Sequence, residues 1–203
     1  MGDLLGLEDN MDGRKYIKFM PSVNGWKAGD DEVTIDKFLL DPNSIKSGWG
    51  WIQEGFSPDW HWDDEVGIRK SLPTQRNDGT LLTEDEKLKY KRGFSIDIYT
   101  KDLGVRTWSS NAKGVSQGFL ALYTALHPQI AENAGKVAVI EYTGSKAVTY
   151  GKGSSRIPEF EIQGWRADDS FEATVDTFEE TALDESKTNG SVDEQQETEE
   201  IPF

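Results

Sequence analysis

The chain has 203 residues, the length of one ordinary domain with a remainder. Its 22 Lys and Arg against 37 Asp and Glu give a formal net charge of -15, which argues against a generally basic nucleic-acid coat. It has no cysteine, which excludes disulfides, thiolate zinc clusters and thiol catalysis, and its two histidines, His61 and His127, offer little for metal chemistry.

No run of 18 apolar residues occurs. The first residues lack the basic and apolar regions of a secretory signal, and Gly6 stands where a myristoylation motif needs Ser or Thr. The expectation is a cytoplasmic protein with no membrane contact.

In chain order, period-two alternation predicts strands over residues 14–20, 33–40 and 47–53, with turns at Asn24-Gly25, Gly29-Asp30-Asp31 and Asp41-Pro42-Asn43. A long polar insertion follows from Glu54 to Arg92, within which Thr83 and Glu86 have the spacing of a capping box opening a short helix through Tyr90. A strand over 93–100 sets Phe94, Ile96 and Ile98 on one face and Ser95, Asp97 and Tyr99 on the other. Val115, Phe119, Leu122, Tyr123 and Leu126 repeat at intervals of three and four, predicting a helix over 112–126 with Asn111 as N-cap and His127-Pro128 as its stop. Strands over 136–142, 147–150 and 158–165 close the pattern, separated by a turn at Thr143-Gly144-Ser145 and a basic loop from Lys152 to Arg156.

Strands, one helix, then strands predicts a mainly β domain over residues 1–167, an OB-fold-like antiparallel Greek-key barrel, although other small α+β folds share that order. Its half-apolar strands fit a homo-oligomer as well as a monomer. Residues 168–203 contain 13 acids and one base, Lys187, so nearly all the excess charge sits there. Only 9 of these 36 residues are apolar, too few to offset ordering entropy, and a disordered acidic tail is expected.

The sequence ends Glu199-Glu200-Ile201-Pro202-Phe203. An acidic run closed by Ile-Pro-Phe resembles the tail tip of bacterial and phage single-stranded DNA-binding proteins (SSBs). The resemblance covers the tail alone, and no stretch of the body aligns with the bacterial SSB domain. It implies a phage- or prophage-type protein that coats single-stranded DNA in replication, recombination or repair and recruits partner proteins of those processes through Glu199, Glu200, Ile201, Pro202 and Phe203. The physics is compatible: a stiffened aromatic knob beside a carboxylate suits an apolar pocket flanked by a basic clamp.

Of seven tryptophans, four form Trp49-Gly50-Trp51 and Trp60-His61-Trp62. Residues two apart in a strand share a face, so each pair presents two indoles together, suited to stacking bases. Candidate cations for phosphates are Arg69, Lys70, Arg76, Lys91, Arg92 and Arg106, with Trp108 as a further stacking candidate and Lys152 and Arg156 in the late loop. No catalytic residue, metal or cofactor is expected. Two other readings stay open: a metal-dependent nuclease using Asp59, His61, Asp63, Asp64 and Glu65, and a non-enzymatic interaction module whose acidic tail mimics DNA. If the tail competes with DNA for a basic groove, deleting residues 184–203 tightens binding to single-stranded DNA at low salt. An unchanged affinity in a fluorescence titration would sink that idea.

Overall fold

The computed structural model describes residues 15–53, 57–151 and 153–167. Lys152 and the segment 168–203, including Glu199, Glu200, Ile201, Pro202 and Phe203, lie outside the described residues, so the expected disordered tail and the partner-binding tip do as well.

Ten strands and one long helix account for most of the described chain: β1 (Lys15–Met20), β2 (Gly25–Ala28), β3 (Asp31–Val33), β4 (Lys37–Leu40), β5 (Lys46–Trp51), β6 (Asp59–Trp62), α1 (Glu84–Lys87), β7 (Lys91–Thr100), β8 (Gly104–Ser110), α2 (Lys113–Ile130), β9 (Lys136–Tyr150) and β10 (Gly153–Ala167). The protein is mainly β, as its alternation predicts. The sheet runs β10-β9-β4-β7-β8-β1-β2-β3, and β5 joins beside β7 and carries β6. One edge of the ten-residue β7 is divided: residues 91–95 pair with β5, while Ile98 and Tyr99 pair with β4.

A closed antiparallel barrel is not what forms. β1 pairs with β8 in parallel, and among the described residues no ladder joins the two ends of the path, so the sheet is mixed and open. It is nonetheless curled, because Trp26 near one end lies 6.4 Å from Phe160 at the other, ring centre to ring centre.

One face of the sheet makes the core. Phe94, Ile96 and Ile98 of β7 are buried there as predicted, with Ile17, Phe19, Trp26, Phe38, Leu40 and Ile140. Trp108 stands at the centre, fully buried, with its ring 4.9 Å from those of both Trp26 and Phe94. It has no free face on which a base could stack, which removes it from the stacking candidates. α2 lays Val115, Phe119, Leu122 and Leu126 against this core. A β-carbon on Gly118 would lie 2.8 Å from Pro158 Cγ, so the glycine sets how closely helix and β10 approach.

Several boundaries differ from expectation for tertiary reasons. Asn111 is not the N-cap of α2; Ala112 takes that position without a side-chain cap, and Asn111 Nδ2 instead donates to Gly50 O at 2.7 Å. Pro128 lies inside α2, whose last turn is held to β10 by Trp165 Nε1 donating to Gln129 Oε1 at 3.0 Å. Thr143-Gly144-Ser145 is no turn: β9 runs through it, and the left-handed Gly144 faces a register shift between Glu159 and Phe160. Such bulges bend a hairpin, here around the core. The capping box on α1 forms as read. β2, β6, β8 and most of β3 are strands that the sequence pattern did not mark, the strand expected over 33–40 is broken at residues 34–36, and among the described residues no helix is long and apolar enough to cross a membrane. Truncating Trp108 to Ala empties the centre of the aromatic core and is expected to cost about 3–5 kcal/mol, measured by urea unfolding.

Candidate nucleic-acid interface

The antiparallel register of β5 with β6 sets Trp60 opposite Gly50 and Trp62 opposite Gly48, while Trp49 faces His61 and Trp51 faces Asp59. Cross-strand partners share a face. The two tryptophan pairs therefore lie on opposite sides of the sheet.

Trp60 and Trp62 lie on the face turned away from the core and α2. Their rings are stacked on each other at 4.4 Å with 10° between planes, so the pair is one double-thickness platform rather than two separate slots. Glycines make the floor beneath it. A β-carbon on Gly50 would lie 2.6 Å from Trp60 Cη2, one on Gly48 2.9 Å from Trp62 Cε3, and one on Gly93 2.7 Å from Trp60 Cη2. Any side chain at these positions would lift the indoles off the sheet.

Beside the platform lies a groove of about 320 Å³ lined by Tyr16, Lys46, Ser95, Thr107 and Ser109 as well as the two tryptophans. Lys18, two residues from Tyr16 and directly opposite Lys27, extends the same face, and Lys91 joins it through its pairing with Gly50. Tyr16 is 47% exposed. Lys18, Lys27, Lys46 and Lys91 have no ion pair among the described residues, so their charge is free to meet an anion. Acids on this face include Asp97, which accepts a 2.7 Å bond from Thr107 Oγ1, and Glu32 across from Lys27, with Glu141 and Glu161 farther along the sheet on β9 and β10.

Three of the other predicted cations are engaged on the opposite face. Arg92 makes a two-pronged ion pair with Asp63, whose side chain is 1% exposed, and its guanidinium lies 5.4 Å from the ring of Trp49. Arg76 bonds Glu86 at 2.8 Å and caps Trp51 at 4.3 Å. Lys70 pairs with Asp64 at 2.6 Å, and its carbonyl accepts from Trp49 Nε1 at 2.9 Å. Trp49 and Trp51 thus pin the insertion to the sheet. Arg69 is exposed beside an apolar pocket shared with Phe119, Leu120 and Tyr123, on the helix side. Arg106 donates to the carbonyl of its neighbour Val105 at 2.7 Å, and Arg156 to Ser145 Oγ at 3.1 Å on the late hairpin. Among the described residues, the sequence candidates that share the platform face are Trp60, Trp62 and Lys91.

The sequence reading missed Tyr16, Lys18 and Lys46. Alternation in β1 signals that Tyr16 and Lys18 face away from the core; what it does not carry is that β1 and β5 present these residues to one groove.

The acids of the insertion diverge. Asp63 turns to Arg92 and Asp64 to Lys70, while Asp59 Oδ1 and His61 Nε2 lie 3.2 Å apart outside hydrogen-bonding geometry. Burial and the neighbouring Asp59 carboxylate push the Tyr90 hydroxyl above its ordinary range. Among the described residues no three His, Asp or Glu side chains gather as a metal site. No family model, curated protein or solved structure matches this chain.

The Arg92 guanidinium, with bonds from Ser47 Oγ and the Lys70 amide, holds the Asp63 carboxyl well below the usual carboxylate range. A depressed native pKa makes this stabilisation complete above about pH 4 and lost as pH falls toward the native value. Asp63→Asn is therefore expected to cost about 3 kcal/mol at pH 7, and its urea midpoint falls less steeply than that of the wild type between about pH 4 and pH 2. Parallel pH profiles would contradict the assignment.

Proposed function

We propose that this protein binds single-stranded DNA without strong sequence preference and coats it during replication, recombination or repair, with no catalytic role. The observation that carries the reading is the Trp60–Trp62 platform, set in a lysine-bearing groove on the sheet face that the helix leaves uncovered. Aromatic faces beside free cations suit single strands because every base has a ring to stack and every nucleotide a phosphate. Duplex has no unstacked base to offer.

The resemblance of Ile201, Pro202, Phe203 and the acids before them to SSB tail tips supports the same reading and adds recruitment of replication or recombination proteins. Within it, the sheet is an opened relative of the OB fold, a kinship that rests on one long helix inserted between two blocks of strands. The protein would act in the cytoplasm of a bacterial cell or phage-infected host.

Intrinsic tryptophan fluorescence should fall on titration with a dT oligonucleotide of about 30 nucleotides, more weakly at high salt, and stay unchanged with duplex of that length. Trp60→Ala is expected to weaken binding by about 1–3 kcal/mol, and Lys46→Ala to reduce the slope of log K against log salt by about one. A body that responds to neither nucleic acid would replace this reading with a non-enzymatic interaction module.

A further inference from the structure

The groove beside the platform has aromatic walls and a polar floor. Along β7 the residues on this face are Gly93, Ser95 and Asp97. The Trp60 ring lies over Gly93, whereas Tyr16 stands beside Thr107, which is itself opposite Asp97. Between them Ser95 and its partner Ser109 make the floor, in a space of about 320 Å³ that holds one base of either ring size. Tyr16 has no ring contact among the described residues, so the wall across from the tryptophans is not already covered.

Hydrogen bonds already made on this floor leave it with a bias. Thr107 Oγ1 donates its single proton to Asp97 Oδ1 at 2.7 Å, because a carboxylate only accepts, so toward a base this hydroxyl has lone pairs alone. Asn77, which also lines the groove, donates from Nδ2 to Trp60 O at 3.2 Å, and its Oδ1 is an acceptor with no partner among the described residues. Ser95 and Ser109 have no side-chain partner among the described residues and can give or take a proton. Oriented acceptors beside adaptable hydroxyls match a base edge that offers an amino group next to a ring nitrogen. Cytosine and adenine have that amino group; thymine and guanine put a carbonyl oxygen in its place, lone pair against lone pair. The charge of Asp97 opposes a phosphate at this end of the groove, and Lys46, opposite Ser95, is the cation placed to meet one.

We propose that this groove reads the exocyclic group of one base in each bound strand through Thr107, with Asn77 in support, and favours the amino bases cytosine and adenine over thymine and guanine. The inference deepens the single-stranded DNA reading and rests on it. The preference is about fivefold, the worth of one hydrogen bond made rather than lost, which is small beside the binding of a whole strand and leaves coating general.

The test measures binding of the full chain to dC and dU oligonucleotides of about 16 nucleotides at neutral pH, strands that differ only in the exocyclic group and the proton on the ring nitrogen. Wild type is expected to bind dC about fivefold more tightly. Thr107→Val keeps the shape without the hydroxyl and is expected to bring the ratio below about twofold, while Thr107→Ser preserves it. Urea unfolding of each variant separates lost binding from lost fold, and the wild-type ratio needs no variant. A wild-type ratio of one or less, or a preference unchanged in a folded Thr107→Val, overturns the base reading and leaves the single-stranded DNA reading standing. Failure of the wild type to bind either strand overturns both.

Discussion

The three-strand register of β6, β5 and β7 is the constraint on which the rest of this surface depends. Gly48, Gly50 and Gly93 fall in neighbouring positions on one face only because β5 pairs with both neighbours in a single register. Shifting β6 by one residue would exchange the faces of its side chains, putting His61 over the glycines and Trp60 and Trp62 among the groups that pin the insertion. The floor has no side chains, so the indoles lie down and stack; with side chains beneath them they would stand away from the sheet. A glycine-rich strand is weak by itself, and the ion pair of Arg92 with the buried Asp63, which also holds Ser47 and the Lys70 amide, ties this edge to the loop beyond β6.

Electrostatics divides the two faces more sharply than composition does. On the core side each cation near the tryptophans has a carboxylate, Arg92 with Asp63, Arg76 with Glu86 and Lys70 with Asp64. Their positive charge is spent on holding the long insertion in place, and their stacking on Trp49 and Trp51 covers those rings. Across the sheet, Lys18, Lys27, Lys46 and Lys91 meet few acids. A chain of strongly negative total charge can therefore carry a row of lysines with few acids beside it on one sheet face, and charge acts over about a Debye length.

Much of the core was legible in sequence. Phe94, Ile96 and Ile98, and the stripe from Val115 to Leu126, follow periods that only one buried face can explain. The capping box at Thr83 and the Asn24-Gly25 turn were legible because they are local hydrogen-bond and backbone preferences. β2, β6 and β8 were not, since the four-residue β2 and β6 are too short to show a period and β8 is mostly polar. Pro128 and Gly144 misled for a common reason: each usually ends an element, and here Gln129 bound by Trp165, and a bulge in a long hairpin, carry the element through.

By itself the sequence determined that the protein is mainly β with one helix, that its excess acid lies after residue 167, and that each tryptophan pair shares a face, because these follow from local periodicity and from counting. The tertiary structure decided which pair lies on the face away from the helix, that Trp108 is core, which cations have carboxylate partners and that Tyr16 and Lys46 meet across a groove. Those outcomes depend on strand neighbours and register between segments distant in the chain, where the pairing energy comes from residues that no local pattern connects.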